Sequence, residues 1–479
     1  MKKFLCIVLF FLFITSPSEA VFEFVSKIGC NAINCVGTED FDSLALWEAA
    51  TDNAGDITDG TVKCGAWDTL SAAKIANAAA VTWDEGGSGG TLISMTNHSG
   101  TDDDMYMIDV TSGSLADDDV ITDGTNTITI NGTPDSCIIT AEVYNDDGNL
   151  TDTAVDIGGC TSSNTNYRKI TVPEGERHDG TADSGVYWIA TANYQEAEGL
   201  FDIREKSVII EWLSLARHTS NASSANIAVI YYYNPGATQT SVIRNVIISQ
   251  ALNDNEHSMN GIHILNGLGG TFYIYNTIVY GIENEALHWN WANDGDTLYA
   301  YNSVIDGKVY WGDGDGKVVC RNLLSFNDPG TPYDYCDTLQ TSGADTTAGS
   351  PDGLDNLTIA DVFVDPSNET LASRNYHLKA GSAAIDAGTD LATGYGIEID
   401  IDGYNRDSGG VTWDVGADEY IAPAGGVTAQ AIFFTKNELE LVCFPDTEET
   451  PPQERGKCKY GHRIGYMLKG LEYLQKGII

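Results

Sequence analysis

Two histidines and a tyrosine occupy matching places in three successive apolar stretches of the chain. The stretches "GIHILN", "ALHWNW" and "KVYWG" contain His263, His288 and Tyr310 in turn. If these stretches pair as neighbouring strands, the three side chains lie about 4.8 Å apart on one face. Imidazoles at that spacing could share a cation, or act as base with the tyrosine as acid in β-elimination of a uronic sugar. The alternative interpretation is a polar face that is merely solvated.

Four tyrosines flanked by two arginines form a second candidate group. They come from "SVIRNVIIS", "TFYIYNTIVYG", "TLYAYNSVIDG" and "VCRNLLSF", and are Tyr273, Tyr275, Tyr299, Tyr301, Arg244 and Arg321. Aromatic rings with polar edges suit sugar rings, and arginine suits a carboxylate or sulfate. The pattern predicts an exposed surface that binds polysaccharide. The alternative is that tyrosine is an ordinary strand residue on an exposed or loop-covered face.

Two acidic loops carry oxygen ligands of the kind that Ca²⁺ takes. Asp313 and Asp315 lie in "WGDGDGKV", and Asp400 and Asp402 lie in "EIDIDGYNRD". Neither loop matches a complete Ca²⁺-binding loop, and Asp-Gly turn chemistry is the stronger interpretation of both. The sequence therefore requires no cofactor, and calcium remains a hypothesis.

The elements that must position these groups repeat along the chain. Five segments share one frame, and their aligned residues are Glu211, Asn245, Asn276, Asn302 and Asn322, spaced 34, 31, 26 and 20 apart. Self-similarity on a period of 20 to 50 residues indicates stacked repeats. Each copy alternates apolar and other residues with period two, so the repeated unit consists of strands.

Alternation also predicts which side chains face the core. With the asparagine column inward, the inward apolar residues are Ile209, Leu213, Ile243, Ile247, Ile274, Ile278, Ala300, Val304, Cys320 and Leu324. On the strands that carry His263 and its neighbours, they are Ile262, Ile264, Leu287, Trp289, Val309 and Trp311. Stacked asparagines can hydrogen-bond along the column, as in other amide ladders.

The chain resembles the right-handed parallel β-helix, or pectin-lyase-like, proteins that bacteria export. The repeats carry this resemblance together with "FVSKIGCNAINCVGTEDFDSLALWEAA" and "YRKITVPEGERHDG", which are similar to the entry of these proteins. "VFVDPSNETLASRNYHLKAGSAAIDAGTDL" and "DIDGYNRDSGGVTWDVGADEY" are similar to their closing segment. The resemblance covers residues 22 to 421 and implies an all-β right-handed parallel β-helix with a short N-terminal helical cap. It implies no single activity, because the family includes lyases, hydrolases and adhesins.

The predicted organisation has five parts. Residues 1–20 read as a cleaved signal peptide, with basic Lys2 and Lys3, an apolar run and a small-residue end at Ala20. Residues 21–80 form the cap and entry strands, 81–135 a β-rich insertion, 136–421 the β-helix with its closing segment, and 422–479 an appendage. No apolar run is long enough for a membrane span. We expect a secreted, periplasmic or cell-surface protein.

The net charge limits the possible binding partners, and the cysteines suggest disulfide pairs. The formal net charge of −44 disfavours nucleic acid as a partner. In an exported chain disulfides are expected, and sequence neighbours suggest Cys30–Cys35, Cys137–Cys160, Cys320–Cys336 and Cys443–Cys458, with Cys64 left over. Free buried thiols are the alternative, since sequence does not determine connectivity.

Three functions are compatible with these patterns. The first is binding of an extracellular polysaccharide or cell-surface glycan through the tyrosine and arginine face. The second is a lyase for uronic-acid polymers that uses His263, His288 and Tyr310, with or without Ca²⁺. The third is a surface spike or adhesin with no catalytic site. The paired aspartates with Gly-His-Gly of polygalacturonases are absent from the sequence, which disfavours hydrolysis.

Overall fold

A computed structural model describes most of the chain between residues 21 and 422. The described residues are 21–29, 40–52, 55–70, 74–83, 87–96, 104–145, 150, 154–190, 199–217, 228–233, 240–250, 259–265, 270–282, 284–290, 296–311, 317–326, 339–341, 358–391, 397–406 and 412–422. Met1–Glu419 and Tyr420–Ile479 form two units, and residues 420–422 are the described part of the second. In the described part of the chain, no helix has the length and apolar character needed to cross a membrane.

The first described elements are strand β1 (Phe22–Ile28) and helix α1 (Leu44–Thr51). Ser43 caps α1, because its Oγ accepts a hydrogen bond of 3.3 Å from the backbone N–H of Leu46. Leu44 is buried in the same apolar core as the strands that follow. The short helix predicted near the N-terminus is present.

A buried arginine attaches α1 to the strands beyond it. The guanidinium of Arg168 lies 2.5 Å from Asp52, 3.4 Å from Glu48 and 3.2 Å from Glu205. It also lies 5.8 Å from the ring of buried Trp47. Because a buried charge is tolerated only when it is paired, losing either side of this network would leave an uncompensated charge.

Six antiparallel strands then form a small closed barrel. They are β2 (Val62–Leu70), β3 (Ala79–Trp83), β4 (Ser88–Met95), β5 (Met105–Ser112), β6 (Val120–Thr122) and β7 (Thr127–Asp135). The barrel closes in the order β2–β5–β4–β3–β6–β7 around its own core, which includes Trp67, Trp83 and Tyr106. The predicted insertion began at residue 81, and that boundary falls inside the barrel. The alternation of short strands in the sequence predicts the later strands of the barrel. Only the pairing that closes the barrel shows that β2 belongs with them.

The strands after the barrel are short. In the sheets that they form, neighbouring strands are parallel. They are β8 (Cys137–Val143), β9 (Val155–Ile157), β10 (Arg168–Thr171), β11 (Tyr187–Ala190), β12 (Phe201–Ile203), β13 (Val208–Glu211), β14 (Ser214–Arg217), β15 (Ala228–Tyr233), β16 (Thr240–Arg244), β17 (Ile247–Gln250), β18 (Asn260–Leu265), β19 (Thr271–Tyr275), β20 (Ile278–Tyr280), β21 (Leu287–Asn290), β22 (Thr297–Asp306), β23 (Val309–Trp311), β24 (Lys317–Phe326) and β25 (Leu339–Thr341). From β11 to β21 they join three parallel ladders in strict rotation.

The first row of a thirteen-stranded sheet runs β1–β8–β10–β13–β16–β19–β22–β24. The second row of the same sheet runs β11–β14–β17–β20–β22–β24–β25, because β22 and β24 are long enough to belong to both rows. The six-stranded sheet runs β9–β12–β15–β18–β21–β23. Each strand of β16–β18 therefore lies beside its counterpart one repeat later, as the repeat predicted.

The register confirms four of the five aligned positions. Arg244 pairs with Tyr275, Tyr275 with Tyr301, and Tyr301 with Arg321, so the asparagine that follows each of them is in step. Glu211, however, pairs with Arg244 and not with Asn245. The prediction for Glu211 is wrong by one residue, because Trp212 occupies the place of the asparagine.

The aligned asparagines are corners. Asn245, Asn276, Asn302 and Asn322 have φ of 53°, 44°, 46° and 51°, and Trp212 has 66°. Asparagine is one of the few residues with a side chain that tolerates this left-handed conformation. Each corner turns the chain from the first row into the second, which explains why the asparagine recurs at one place.

The corner also changes which side chains face the core. As predicted, core positions include Leu213, Ile243, Ile274, Ala300 and Cys320, and on the six-stranded sheet Ile262, Ile264, Leu287, Trp289 and Val309. The described residues do not include the side chain of Trp311. Ile247, Ile278, Val304 and Leu324, also predicted inward, are buried but lie outside this core cluster, which instead contains Val246, Ile248, Val279, Ile305 and Leu323. The left-handed residue shifts the alternation by one position. Before the first corner, Ile210 is in the core and Ile209 is half-buried, because the frame set by Glu211 is wrong by one residue.

A closing segment, residues 358–419, completes the described unit. It contains helix α2 (Ile359–Val362), a 3₁₀ turn (Leu371–Ser373) and the antiparallel strands β26 (Phe363–Asp365) and β27 (Asn375–Leu378). Its remaining described residues contain no further strand. The asparagine corners face this segment, since Asn245 donates to the carbonyl of Asp400 and Asn276 donates to that of Ile399.

One disulfide joins the barrel to the parallel sheet. Cys64 of β2 is bonded to Cys137 of β8, with the Cα atoms 5.5 Å apart. The predicted Cys137–Cys160 pair is wrong, and Cys160 is a free buried thiol. The barrel folds back on itself over 73 residues, so cysteines distant in sequence meet. Cys320 is also disulfide-bonded; Cys30, Cys35, Cys336, Cys443 and Cys458 lie outside the described residues.

Replacing Asn276 separates the two contributions of a corner. Asn276→Ala loses the amide bond to Ile399 and strains the left-handed backbone, so we expect a loss of about 2 to 3 kcal/mol in unfolding free energy. Asn276→Gly keeps the backbone relaxed and should lose only about 1 kcal/mol. Denaturant unfolding measures both. Equal losses in the two variants would contradict the left-handed corner.

Candidate functional site

The predicted tyrosine column exists. The rings of Tyr273 and Tyr299 stack at 4.9 Å, and those of Tyr275 and Tyr301 stack at 5.6 Å. Arg244 precedes this column in register, and its Nε lies 2.5 Å from the carboxylate of Glu211. Residues separated by 20 to 33 positions in sequence are therefore direct neighbours across strands.

The column is covered, however. Tyr275 is 7% exposed and Tyr301 is fully buried, and both pack with Leu391, Ile397 and Trp413 of the closing segment. The prediction of an exposed tyrosine face is wrong for these two residues. The alternative that a loop covers the face is what the structure has. The stacked rings form the apolar base on which the closing segment lies.

The histidine column also exists, on the outward face of the six-stranded sheet. Tyr231, His263, His288 and Tyr310 pair in register on β15, β18, β21 and β23. Successive ring centroids are 4.9, 4.2 and 4.7 Å apart. Exposure rises along the column, from fully buried Tyr231 and His263 to Tyr310, which is 39% exposed. The accessible end is therefore at β21 and β23.

A buried glutamate organises that end. Glu285 accepts a hydrogen bond of 3.2 Å from Nδ1–H of His288 and lies 2.5 Å from Nζ of Lys308. Burial raises the pKa of Glu285, but the hydrogen bonds from His288 and Lys308 lower it by more than burial raises it. The pKa therefore lies below the ordinary 4.5. Nε2 of His288 is buried and has no hydrogen-bond partner among the described residues. The nitrogen that would abstract a proton in β-elimination thus does not face solvent.

Two exposed tyrosines on this sheet each carry a cation. Nζ of Lys308 lies 5.6 Å from the ring centroid of Tyr310. The guanidinium of Arg204 lies 5.7 Å from the ring of Tyr233, which is 46% exposed. Tyr233 is two residues beyond Tyr231 and so lies on the same outward face. Three strand spacings, about 14 Å, separate the strands of the two tyrosines.

A third group of titratable side chains lies in the closing segment. Nε2 of His377 lies 3.2 Å from the carboxylate of Asp402, and candidate ligand atoms of His377, Asp402 and Asp418 are within 4.8 Å of one another. Burial lowers the pKa of His377, but Asp402 and Asp418 raise it to about 10. Burial, together with the charge of Asp402, raises the pKa of Asp418 to about 7.

The four aspartates predicted as calcium ligands fare differently. Asp313 and Asp315 lie outside the described residues. Asp400 accepts backbone N–H bonds from Asp402, Tyr404 and Glu419, at 3.0, 2.7 and 3.1 Å, and so acts as a turn residue. Of the four, Asp402 alone belongs to the His377 group among the described residues.

The chain has no detected relatives. Searches against models of protein families, curated proteins and solved structures found no match. Function must therefore be argued from the residues themselves.

Several residues of these groups were missed in the sequence. Glu285 and Lys308 precede His288 and Tyr310 by three and two positions, a proximity that could have suggested contact. Tyr233 ends β15 and Arg204 directly follows β12, so both lie outside the asparagine repeat. His377 and Asp418 are 41 residues apart, and only the folded closing segment brings them together.

Glu285→Gln tests the buried glutamate through pH. A carboxyl group whose folded-state pKa is lowered contributes stability above its unfolded pKa, near 4.5, and loses it as pH falls through the folded value. We expect the variant to be about 2 kcal/mol less stable at pH 7, and the difference to shrink below about pH 4.5. Urea unfolding of both proteins from pH 7 to pH 3 measures this. Exposed Glu174→Gln is the control, and a difference independent of pH would contradict the ion-pair geometry.

Proposed function

We propose that the chain is an exported right-handed parallel β-helix that binds an anionic extracellular polysaccharide on the outward face of its six-stranded sheet. The helical winding is supported by the rotation of strands through three parallel ladders, with each strand beside its counterpart one repeat later. Crossovers between parallel strands of one sheet are right-handed in nearly all proteins, which supports the hand. Export rests on the signal-like first twenty residues.

The observation that carries the binding proposal is the pair of exposed tyrosines capped by cations. Tyr233 with Arg204 and Tyr310 with Lys308 present two aromatic surfaces, each beside a cation that is also ion-paired: Arg204 with Asp156 and Asp202, and Lys308 with Glu285. A sugar ring packs against an aromatic face, and its carboxylate or sulfate would pair with the adjacent cation. In a chain of charge −44, such local cations are needed to admit an anionic ligand.

The geometry favours binding over β-elimination. A lyase needs a base that reaches the proton it removes. His263 is fully buried, and Nε2 of His288 is buried within the ring column. Tyr310 and Lys308 remain accessible, and they suffice for recognition. A lyase that uses His288 stays the second candidate, because the carboxylate of Glu285 orients its ring as a catalytic base would require.

Binding to a panel of alginate, pectate, chondroitin sulfate and neutral glucans tests the proposal. We expect retention of at least one anionic polymer, weakened by salt because the partners carry opposite charges. Tyr310→Ala and Tyr233→Ala should each weaken it about tenfold, equal to about 1.4 kcal/mol. Tyr310→Phe keeps the ring and should bind nearly as the parent does. Lys63→Ala, a lysine of the barrel, is the control for charge alone.

Different outcomes separate the candidates. Absence of binding across the panel would contradict the proposal and favour a structural surface protein. Binding that survives both tyrosine substitutions would place the ligand elsewhere. A rise in the absorbance band of unsaturated uronates on incubation, abolished by His288→Ala, would identify a lyase.

A further inference from the structure

The closing segment contains a group of metal-ligand type that the proposed glycan surface does not use. His377 lies on β27, Asp402 in the loop after Ile401, and Asp418 near the end of the segment. Their ligand atoms lie within 4.8 Å of one another. Ligands of one cation at about 2.1 Å lie no more than about 4.2 Å apart, so small side-chain shifts would close the group around an ion.

The imidazole is already oriented for ligation. Oδ1 of Asn375 accepts from the backbone N–H of His377 at 2.9 Å, which identifies this atom as the amide oxygen. Nδ1 of His377 lies 2.7 Å from the same oxygen and must therefore be the protonated donor. This leaves Nε2 directed at the carboxylates. Such an outer hydrogen bond is the usual way in which metal-ligating histidines are held.

The carboxylates of the group are only partly compensated, by His377 beside Asp402 and by the backbone N–H of Leu378, which donates to Asp418. Oδ1 of Asp402 is buried and has no hydrogen-bond partner among the described residues. The whole side chain is only 11% exposed. Asp418 is 4% exposed, and fully buried Asp400 adds a third carboxyl group nearby. A buried carboxylate oxygen without a partner is costly, and a cation is the partner that offsets two negative charges at once.

A glycine keeps space beside the histidine and Asp402. Gly180, with φ of 85°, comes from the loop between β10 and β11. A Cβ at this position would lie 2.5 Å from Nε2 of His377 and 2.8 Å from Oδ1 of Asp402. Any other residue would therefore press on the two atoms that face the group. Thr181 beside it forms a β-bridge to Asn375, so the loop and the histidine strand are fixed to each other.

We propose that His377, Asp402 and Asp418 bind one divalent transition-metal ion, of the class of Zn²⁺ or Mn²⁺. One imidazole nitrogen with two carboxylates suits these ions better than Ca²⁺, which takes oxygen ligands. The ion joins β27, the loop at residue 402 and the end of the closing segment, and it replaces the proton that Nε2 of His377 shares with Asp402. Its role is to hold the closing segment in its folded arrangement.

Calorimetric titration of the full chain, free of any histidine tag and stripped with EDTA, tests the site with Zn²⁺ and Mn²⁺ as probes. We expect one ion per chain for the parent. His377→Ala and Asp402→Asn should weaken binding at least a hundredfold, and Asn375→Ala should weaken it about 10- to 100-fold through loss of orientation. Asp118→Asn, which removes one exposed charge in the barrel, should bind as the parent does.

Thermal unfolding gives a second readout that does not depend on calorimetry. Saturating metal should raise the midpoint of the parent by a few degrees, since an ion that binds only the folded state stabilises it. Asp402→Asn should fold without metal, because it removes one of the crowded charges, and should show no such rise. The proposal would be overturned if the parent bound no stoichiometric metal, or if His377→Ala bound it as tightly as the parent. It would also be overturned if Ca²⁺ bound more tightly than Zn²⁺ and Mn²⁺ and the His377→Ala substitution left that binding unchanged.

Discussion

The left-handed asparagine corner is the constraint on which the parallel sheets depend. At Asn245, Asn276, Asn302 and Asn322 the chain turns from the first row of the sheet into the second. Few residues with a side chain accept this backbone, and asparagine adds an amide that can bond sideways. One such bond, 2.8 Å from Nδ2 of Asn322 to Oδ1 of Asn302, links successive corners. The recurring asparagine therefore marks the position whose backbone conformation is hardest for other residues to adopt.

The same amides determine where the closing segment lies. Asn245, Asn276 and Asn322 donate to the carbonyls of Asp400, Ile399 and Thr389, so the segment follows the line of corners. Fully buried Arg406 adds bonds to the carbonyls of Gly416 and Ala417 and to Glu419. The closing segment thus covers one face of the first row, whereas the six-stranded sheet retains accessible aromatic and basic side chains.

Much of the fold could be predicted because alternation and the recurring asparagine are local signals. Tyr275 and Tyr301 were correctly placed as neighbours, and so were His263 and His288. The first corner was missed because Trp212 adopts the left-handed conformation without being asparagine. The burial of Tyr301 could not be predicted, since Trp413, which packs on it, is more than a hundred residues away in sequence. The Cys64–Cys137 bond and the His377 group depend on distant contacts in the same way.

Hydroxyl-radical footprinting of the tyrosines in the intact protein tests this arrangement most directly. It reports, residue by residue, which rings reach solvent. We expect Tyr233 and Tyr310 to be oxidised readily, and Tyr275 and Tyr301 to be protected until the protein unfolds. Ready oxidation of Tyr275 and Tyr301 in the folded protein, with Tyr310 protected, would contradict both the covered first row and the open six-stranded sheet.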